Sequence, residues 1–189
     1  ITTFDEGDPI DTGTLNNAYN PQLTIDSNGV VYVTYGQFDG SNNHIYLSRY
    51  DGSEVGIWDN DTKDFITTFD EGDPIDTGAL NDAENPQLAI DSNGVIYVTY
   101  GQFDGSNNHI YLSRYDGIVR IWDNDTKAFI TTFDEGDPID TGTLNNAYNP
   151  QLTIDSNGVV YVTYGQFDGS NYHIYLSRYD GIVRIWDND

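Results

Sequence analysis

The stretch Val30-Val31-Tyr32-Val33-Thr34-Tyr35 decides the fold of this chain of 189 residues. Valine, tyrosine and threonine favour strands, and the preceding pair Asn28-Gly29 is typical of a short β-hairpin turn. The stretch does not alternate between apolar and polar residues, as a strand with one solvated face does. It therefore predicts a strand in a sheet that is covered on both faces.

Further strand signals follow at short intervals in the first 69 residues. Runs of Val, Ile, Tyr and Thr alternate with clusters of Gly, Asn, Asp and Pro, which is typical of antiparallel strands joined by turns. A long polar connection, residues 70–85, comes next. The predicted strands are residues 22–25, 30–38, 44–50 and 55–58, with residues 65–69 as a candidate outer strand.

The sequence contains three copies of one repeat. Ile-Thr-Thr-Phe-Asp-Glu-Gly-Asp-Pro occupies residues 1–9, 66–74 and 130–138, so the repeat is 65 residues long once and 64 once. Four-stranded repeats whose sheets are covered on both faces are typical of blades arranged radially. We predict an all-β chain of three β-propeller blades, with repeats at residues 1–65, 66–129 and 130–189. The alternative is a solenoid, which would need shorter repeats of more even length.

Two stretches resemble known propeller families. Asp-Gly-Ile-Val-Arg-Ile-Trp-Asp at residues 116–123 is similar to the end of a WD40 blade. The order from Asn-Pro-Gln at residues 20–22 through Ser-Arg-Tyr-Asp-Gly at 48–52 to Trp58 resembles the sialidase-like Asp-box (BNR) propellers. Both resemblances imply a propeller. The second implies an enzyme that binds a carboxylate with an arginine cluster and uses Tyr, Glu and Asp for chemistry.

The charge of the chain excludes several classes of partner. With 31 acidic and 7 basic residues the formal net charge is -24, so neither nucleic acid nor an anionic membrane surface is an expected partner. No apolar run approaches the roughly 20 residues of a membrane helix. The absence of cysteine excludes disulfides and thiolate metal sites. A secreted or cell-surface location is favoured.

Carboxylates are concentrated in the segment Asp-Glu-Gly-Asp-Pro-Ile-Asp, residues 5–11, and in its two later copies. Ca²⁺ prefers oxygen-rich loops that contain glycine, although the spacing here is not that of an EF-hand. The alternative is a solvated acidic surface. No cofactor is certain, and Ca²⁺ is a possible one. The candidate ligands are Asp5, Asp8, Asp11, Asp70, Asp73, Asp76, Asp134, Asp137 and Asp140.

Three kinds of side chain recur once in each copy. A histidine begins the third strand, where we predict a hydrogen-bonded turn residue, with a metal site around the axis as the alternative. A tryptophan is predicted to pack between blades, with sugar stacking as the alternative. An arginine is predicted to pair with a turn aspartate. These residues are His44, His109 and His173, Trp58, Trp122 and Trp186, and Arg49, Arg114 and Arg178.

Near-identity of the copies argues against catalysis, because an active site needs different groups that converge on one substrate. We therefore predict that the chain is not an enzyme but a binding or scaffold module. A lectin-like carbohydrate-binding propeller and an engineered or fragment protein without a native ligand are the alternatives, and a sialidase-like glycoside hydrolase ranks last. The positions of Tyr19, Glu84 and Tyr148 and of Asn43, Asn108 and Tyr172 differ among the copies and are predicted to mark exposed loop tips.

Three blades are too few to close a ring, since propellers typically have four or more. The expected partner is therefore the chain itself, with a six-bladed dimer preferred to a nine-bladed trimer. Residues 1–4 are predicted to complete the last blade of a neighbouring chain. A carbohydrate or a protein is a possible further ligand.

Overall fold

The structure is a computed structural model that describes residues 9–11, 17–69, 72–78, 82–142 and 144–186. The predicted role of residues 1–4 and the candidate ligands Asp5, Asp8 and Asp70 lie outside the described residues. Within them the chain is all-β, as the sequence predicts, apart from one short 3-10 helix at Phe133–Glu135. None of the helical turns in this part of the chain is suited to span a bilayer.

Three antiparallel sheets contain the strands, and in each sheet consecutive strands are neighbours. We call the sheets blades 1, 2 and 3. The predicted blades are therefore confirmed, and a short fifth strand completes the first two. Blade 1 contains β1 (Ala18–Ile25), β2 (Val31–Phe38), β3 (Asn43–Tyr50), β4 (Val55–Asp59) and β5 (Asp64–Ile66); blade 2 contains β6 (Ala83–Ile90), β7 (Ile96–Phe103), β8 (Asn108–Tyr115), β9 (Val119–Asp123) and β10 (Ala128–Ile130); blade 3 contains β11 (Ala147–Ile154), β12 (Val160–Phe167), β13 (Tyr172–Tyr179) and β14 (Val183–Ile185).

The first strand of each blade is the innermost one. β1 packs against β6, and β6 packs against β11, so these three strands lie together along one axis. β1 begins four residues before the start that the sequence predicts, because Pro21 lies inside the strand rather than before it. Proline cannot donate to a strand ladder and is confined to sheet edges and bulges. The inner edge of a blade is such an edge.

The connections between blades pack between the sheets that they join. Residues 72–78 leave blade 1 and lie against both neighbours: Ile75 N–H donates to the Ile45 carbonyl over 2.8 Å, and the Ile75 carbonyl accepts from Ser113 Oγ over 2.8 Å. Ile139 repeats this arrangement between blades 2 and 3. A segment that is polar in sequence thus becomes a buried spacer, because its backbone groups find partners on both sides.

Two apolar cores fill the junctions between blades. The Trp58 ring is fully buried and meets the Tyr115 ring of blade 2 edge to face at 5.7 Å, and Trp122 meets Tyr179 of blade 3 in the same way at 5.6 Å. The prediction that these two tryptophans pack between blades is confirmed. Such aromatic pairs add about 0.5–1.5 kcal/mol to the stabilisation that burial supplies.

Candidate functional site

A bulge in each innermost strand turns an asparagine toward the axis. Asn20, Asn85 and Asn149 have φ angles of 53°, 55° and 55°, in the left-handed region. The strand register shifts at the same place in all three blades. Asparagine is among the residues that tolerate this conformation, and bulges re-aim side chains at the edges of sheets. The repeated Asn-Pro-Gln sequence is thus a device that presents amides at the inner edge.

The three Asn-Pro-Gln segments surround one hollow, which we call the axial pocket. Its volume is about 190 Å³. One asparagine bridges two blades, because Asn20 Nδ2 donates to Asn85 Oδ1 over 3.1 Å. The pocket is therefore neutral and rich in amides, although the chain is strongly acidic. It is lined by Asn20, Gln22, Asn85, Pro86, Gln87, Asn149, Pro150 and Gln151.

The glutamines of the axial pocket have hydrogen-bonding groups that a ligand can use. Gln87 Nε2 donates to the Pro86 carbonyl over 2.9 Å, and Gln151 Nε2 donates to the Pro150 carbonyl over 2.8 Å. A primary amide has two N–H donors and an oxygen with two lone pairs. One hydrogen bond of this kind orients the side chain and leaves a second N–H and the oxygen available for a ligand.

The middle blade differs from its neighbours beside the pocket. Asp82 and Glu84 stand where the first copy has Asn17 and Tyr19. Burial, together with the nearby negative charges of Asp82 and Glu84, raises the pKa of the Tyr19 phenol to about 12. A pair of carboxylates thus lies close to a tyrosine at the junction of blades 1 and 2.

The variable positions lie in strands and not at loop tips as the sequence predicts, although Tyr172, at the start of β13, is 60% exposed. Tyr19, Glu84 and Tyr148 lie within the innermost strands. Asn108 begins β8 and contacts the next blade, because its Nδ2 donates to Tyr148 Oη over 3.0 Å. Asn43 makes the equivalent contact, in which its backbone N–H and Nδ2 both donate to Asp82 Oδ1. The variation at these positions therefore changes contacts between neighbouring blades.

Two of the candidate calcium ligands bind histidine. Asp76 is buried, lies 3.0 Å from His44 Nδ1 and accepts from the Ile45 N–H over 2.6 Å. Asp140 is buried in the same arrangement, 3.1 Å from His109 Nδ1. Each aspartate comes from the connection and each histidine from the preceding blade. We call each pair a His–Asp latch, because it fastens a connection to a blade.

The latches raise the pKa values of their histidines. Burial works against protonation of His44, but its hydrogen bond to Asp76 and the negative charges of Asp76 and Asp39 outweigh that effect and raise its pKa above 6.5. For His109 the hydrogen bond to Asp140 is the largest cause and likewise raises the pKa. Each ring therefore binds a proton more readily than an unperturbed histidine does.

The other described candidate ligands are also engaged. Asp73 and Asp137 cap turns by accepting from backbone N–H groups, and burial is the main cause of their raised pKa values, with repulsion from nearby carboxylates adding to it. Asp11 lines a separate hollow beside Tyr35, and Asp134 lies in the 3-10 turn. Among the described residues no group of three His, Asp or Glu side chains is placed to hold a metal ion. Calcium binding stays a prediction.

The arginines and the third histidine lie away from the axial pocket. Arg114 and Arg178 pair with the turn residues Asp116 and Asp180 at 2.7 and 2.8 Å, and Arg49 lies 3.9 Å from Asp51, as the sequence predicts. His173 is half exposed and lies 3.1 Å from Asp168 of its own hairpin. Neither set gathers around the axis.

No protein-family model matches the sequence, and no curated protein sequence is significantly similar to it. Solved structures do match the fold. A glycosyl hydrolase from Bacteroides ovatus has a TM-score of 0.52 and 13% identity, over 92% of this chain and 50% of its own. A GH130-family protein, described with glycoside hydrolases that target β-1,2 mannosidic linkages in Candida mannan, has a TM-score of 0.51 and 12% identity, over 92% and 49%. A thermostable family-43 glycoside hydrolase has a TM-score of 0.50 and 13% identity, over 89% and 57%.

These comparisons correct one prediction. They support the propeller fold, and the chain spans about half the length of the structures that it matches. The prediction that the chain is not an enzyme is wrong, because the three solved structures above, which share its fold, are described as glycoside hydrolases. At this level of identity the likeness itself shows the fold alone.

The sequence analysis missed the axial pocket. The signal was present in the Asn-Pro-Gln triplet at residues 20–22, 85–87 and 149–151, where a proline inside a strand sequence indicates a bulge or a free edge. The acidic pair of the middle copy was also visible as a departure from the repeat. What the sequence did not supply was the convergence of three inner edges on one axis.

Proposed function

We propose that the chain binds carbohydrate in the axial pocket. The observation that carries the proposal is the gathering of Asn and Gln side chains from three blades around one hollow. Amides donate and accept hydrogen bonds, as the hydroxyl groups of a sugar require. The glycoside hydrolases that share the fold act on carbohydrates by name, which supports the same class of ligand.

The size of the pocket and the charge of the chain restrict the class of ligand. Its volume of about 190 Å³ is below the roughly 300–1,000 Å³ of pockets that enclose a drug-sized ligand, so it suits one sugar unit at the end of a longer chain. The net charge of -24 repels anions, and the arginines of the blades pair with turn aspartates elsewhere. A neutral sugar is therefore favoured over one that carries a carboxylate.

The test is a titration of the chain, followed by NMR, with β-1,2-mannobiose as the first probe and sialyllactose as the anionic comparison. We expect saturable shifts with the neutral sugar and none with the anionic one. Replacing the three pocket glutamines, Gln22, Gln87 and Gln151, with alanine should remove the shifts. The matched control replaces three exposed turn asparagines, Asn28, Asn93 and Asn157, with alanine and should leave them unchanged. If a panel of other neutral disaccharides also gives no saturable shift, the proposal fails.

Hydrolysis of the bound sugar is a second candidate, and the acidic pair of the middle copy favours it. Glycoside hydrolases use two carboxylates that flank the scissile bond, and Asp82 and Glu84 both lie close enough to Tyr19 to raise its pKa. Glu84 immediately precedes Asn85, which lines the axial pocket. Glu84 is therefore adjacent in sequence to a residue of the axial pocket, and Asp82 is the second carboxylate near the same tyrosine.

Hydrolysis is tested by incubating the chain with the oligosaccharides that it binds and measuring the reducing ends released. Glu84→Gln should lower the rate at least about 100-fold, as expected when a general acid or base is removed, and should leave binding intact. Glu135→Gln, in the 3-10 turn, is the matched control. Equal rates in the two variants would rule out Glu84 as a participant.

A further inference from the structure

Two faces of the described structure expose residues that are buried elsewhere in the same chain. On blade 3, Ile174 is 80% exposed, whereas the equivalent Ile110 of blade 2 is fully buried. We call this side of blade 3 the trailing face. On the opposite side of blade 1, Leu23 and Ile25 are 65% and 56% exposed. We call that side the leading face.

The two junctions inside the chain show what covers such faces. In each, the trailing side of one blade packs against the leading side of the next. Leu88 and Ile90, the equivalents of Leu23 and Ile25, pack into the core between blades 1 and 2. Because the copies are nearly identical in sequence, the leading face of blade 1 has the residues that the trailing face of blade 3 would meet.

The aromatic pairs of the junctions point to the same match. Tyr115 and Tyr179 each pack edge to face on the tryptophan of the blade before. Their equivalent in blade 1 is Tyr50, which is 42% exposed on the described structure. The equivalent tryptophan on the trailing face is Trp186, which is 68% exposed.

The residues that make the polar contacts of the junctions are also present on these two faces, one partner on each face. His173 occupies the position of the latch histidines His44 and His109, with a side chain that is 54% exposed. Asp11 occupies the position of the latch aspartates. The carbonyl of Ile10 accepts from Ser48 Oγ over 2.9 Å. The carbonyls of Ile75 and Ile139 accept from the equivalent serines of blades 2 and 3.

We propose that the trailing face of blade 3 binds the leading face of blade 1 in a second copy of this chain, with Asp11 of the second copy completing a third latch on His173. The contact joins two different surfaces, so a ring closes when every copy uses both faces. Two copies give six blades, within the usual range of four to eight, whereas three copies give nine. The inference is independent of carbohydrate binding. Its occupant follows from the internal junctions, which use the same residues twice.

The first test measures the mass of the full chain in solution by analytical ultracentrifugation. We expect a particle of twice the mass of the chain. Leu23→Glu on the leading face and Ile174→Glu on the trailing face should each give a monomer with unchanged strand content, because both side chains are exposed in a single chain. Ser27→Glu, in an exposed turn, is the matched control and should remain dimeric. A wild-type chain that is monomeric at every concentration would overturn the proposal.

Mixing the two variants tests the direction of the contact. The Ile174→Glu chain retains its leading face and the Leu23→Glu chain retains its trailing face, so the mixture should form a two-chain particle through one intact junction. Contacts between two identical faces predict no recovery. A mixture that stays monomeric at every concentration, or single variants that remain dimeric, would overturn the head-to-tail arrangement.

The third latch has its own test. Asp11→Asn should weaken the dimer about tenfold or more, because it removes a charged partner from a contact that would be buried. It should leave the melting temperature of the monomer unchanged when placed in the Leu23→Glu chain. Glu54→Gln, at an exposed turn, is the control for loss of charge. An unchanged dimer dissociation constant in Asp11→Asn would exclude this residue from the contact.

Discussion

The junctions inside the chain and the open faces of blades 1 and 3 are built from equivalent residues, yet their environments are opposite. Ile110 is fully buried, and Ile174, in the same sequence context, is 80% exposed. His109 lies in a buried latch, and His173 is half exposed beside its own hairpin. The difference teaches that the repeat specifies a blade, whereas the neighbouring blade decides which of its residues form a core. The predictions below use the Leu23→Glu chain. In the proposed assembly this substitution prevents the contact between copies, so the chain should be monomeric.

The largest difference is expected between Ile110→Ala and Ile174→Ala. Removing the buried side chain loses transfer free energy and leaves a cavity, so Ile110→Ala should lower the free energy of unfolding by about 2–5 kcal/mol. Ile174→Ala should change it by less than about 0.5 kcal/mol, as exposed substitutions usually do. Urea unfolding measures both. Equal losses would mean that blade 3 is covered in the monomer and that the comparison is wrong.

The next difference concerns the histidines. His109→Ala leaves the buried Asp140 carboxylate without its cationic partner, and we expect a loss of about 2–3 kcal/mol in the free energy of unfolding. His173→Ala removes a half-exposed side chain and should cost less than about 0.5 kcal/mol. The same urea experiment measures the pair. A small effect of His109→Ala would show that the latch does not stabilise the junction.

The latches should also make stability depend on pH. The pKa values of His44 and His109 are raised on folding, so their stabilisation is complete below the unfolded value of 6.5 and is lost as pH rises through the raised values. The free energy of unfolding should therefore fall as pH rises above about 6.5, through the raised pKa values of the two histidines. In the double variant His44→Gln/His109→Gln the fall should be smaller. Identical slopes in the two proteins would count against the latches.

An opposite dependence is expected at low pH from the hairpin aspartates. The pKa values of Asp39 and Asp104 are lowered: burial opposes the shift, but backbone N–H donors and then the neighbouring histidines outweigh it. Their stabilisation is present above the unfolded value of 3.8 and is lost as pH falls through the lowered values. Together the two effects place maximum stability in mildly acidic solution.

The smallest difference separates two tyrosines. Tyr148 Oη accepts a hydrogen bond from Asn108, so Tyr148→Phe should cost about 0.5–1.5 kcal/mol. Tyr19 Oη is buried, and in the described part of the chain it finds no hydrogen-bond partner. Tyr19→Phe should therefore leave stability unchanged or raise it, because no hydrogen bond is lost and a buried polar atom is removed. Thermal unfolding distinguishes the two, and a clear loss in Tyr19→Phe would reveal a partner for its hydroxyl.

The sequence by itself determined the strands, their order and the three blades, because strand propensity, turn residues and repetition are local properties. It identified Trp58 and Trp122 as packing residues and the arginines as partners of turn aspartates, but it did not distinguish Trp186, which is largely exposed. It placed Asn20, Pro21 and Gln22 at the start of a predicted strand without revealing their role. The prediction that the chain is not an enzyme rested on the near-identity of the copies, which the sequence shows, whereas the likeness of the fold to glycoside hydrolases is not visible in the sequence.

Only the tertiary structure decided which copies are equivalent in environment. The axial pocket exists because three inner edges converge, and no single copy encodes that convergence. The acidic residues Asp76 and Asp140 became buried partners of histidine because the connections fold back between two blades. Trp122 is in a core and Trp186 is largely exposed because blade 2 has a following blade in the described structure. Burial depends on neighbours that are distant in sequence, and a repeat carries the same local information wherever it stands.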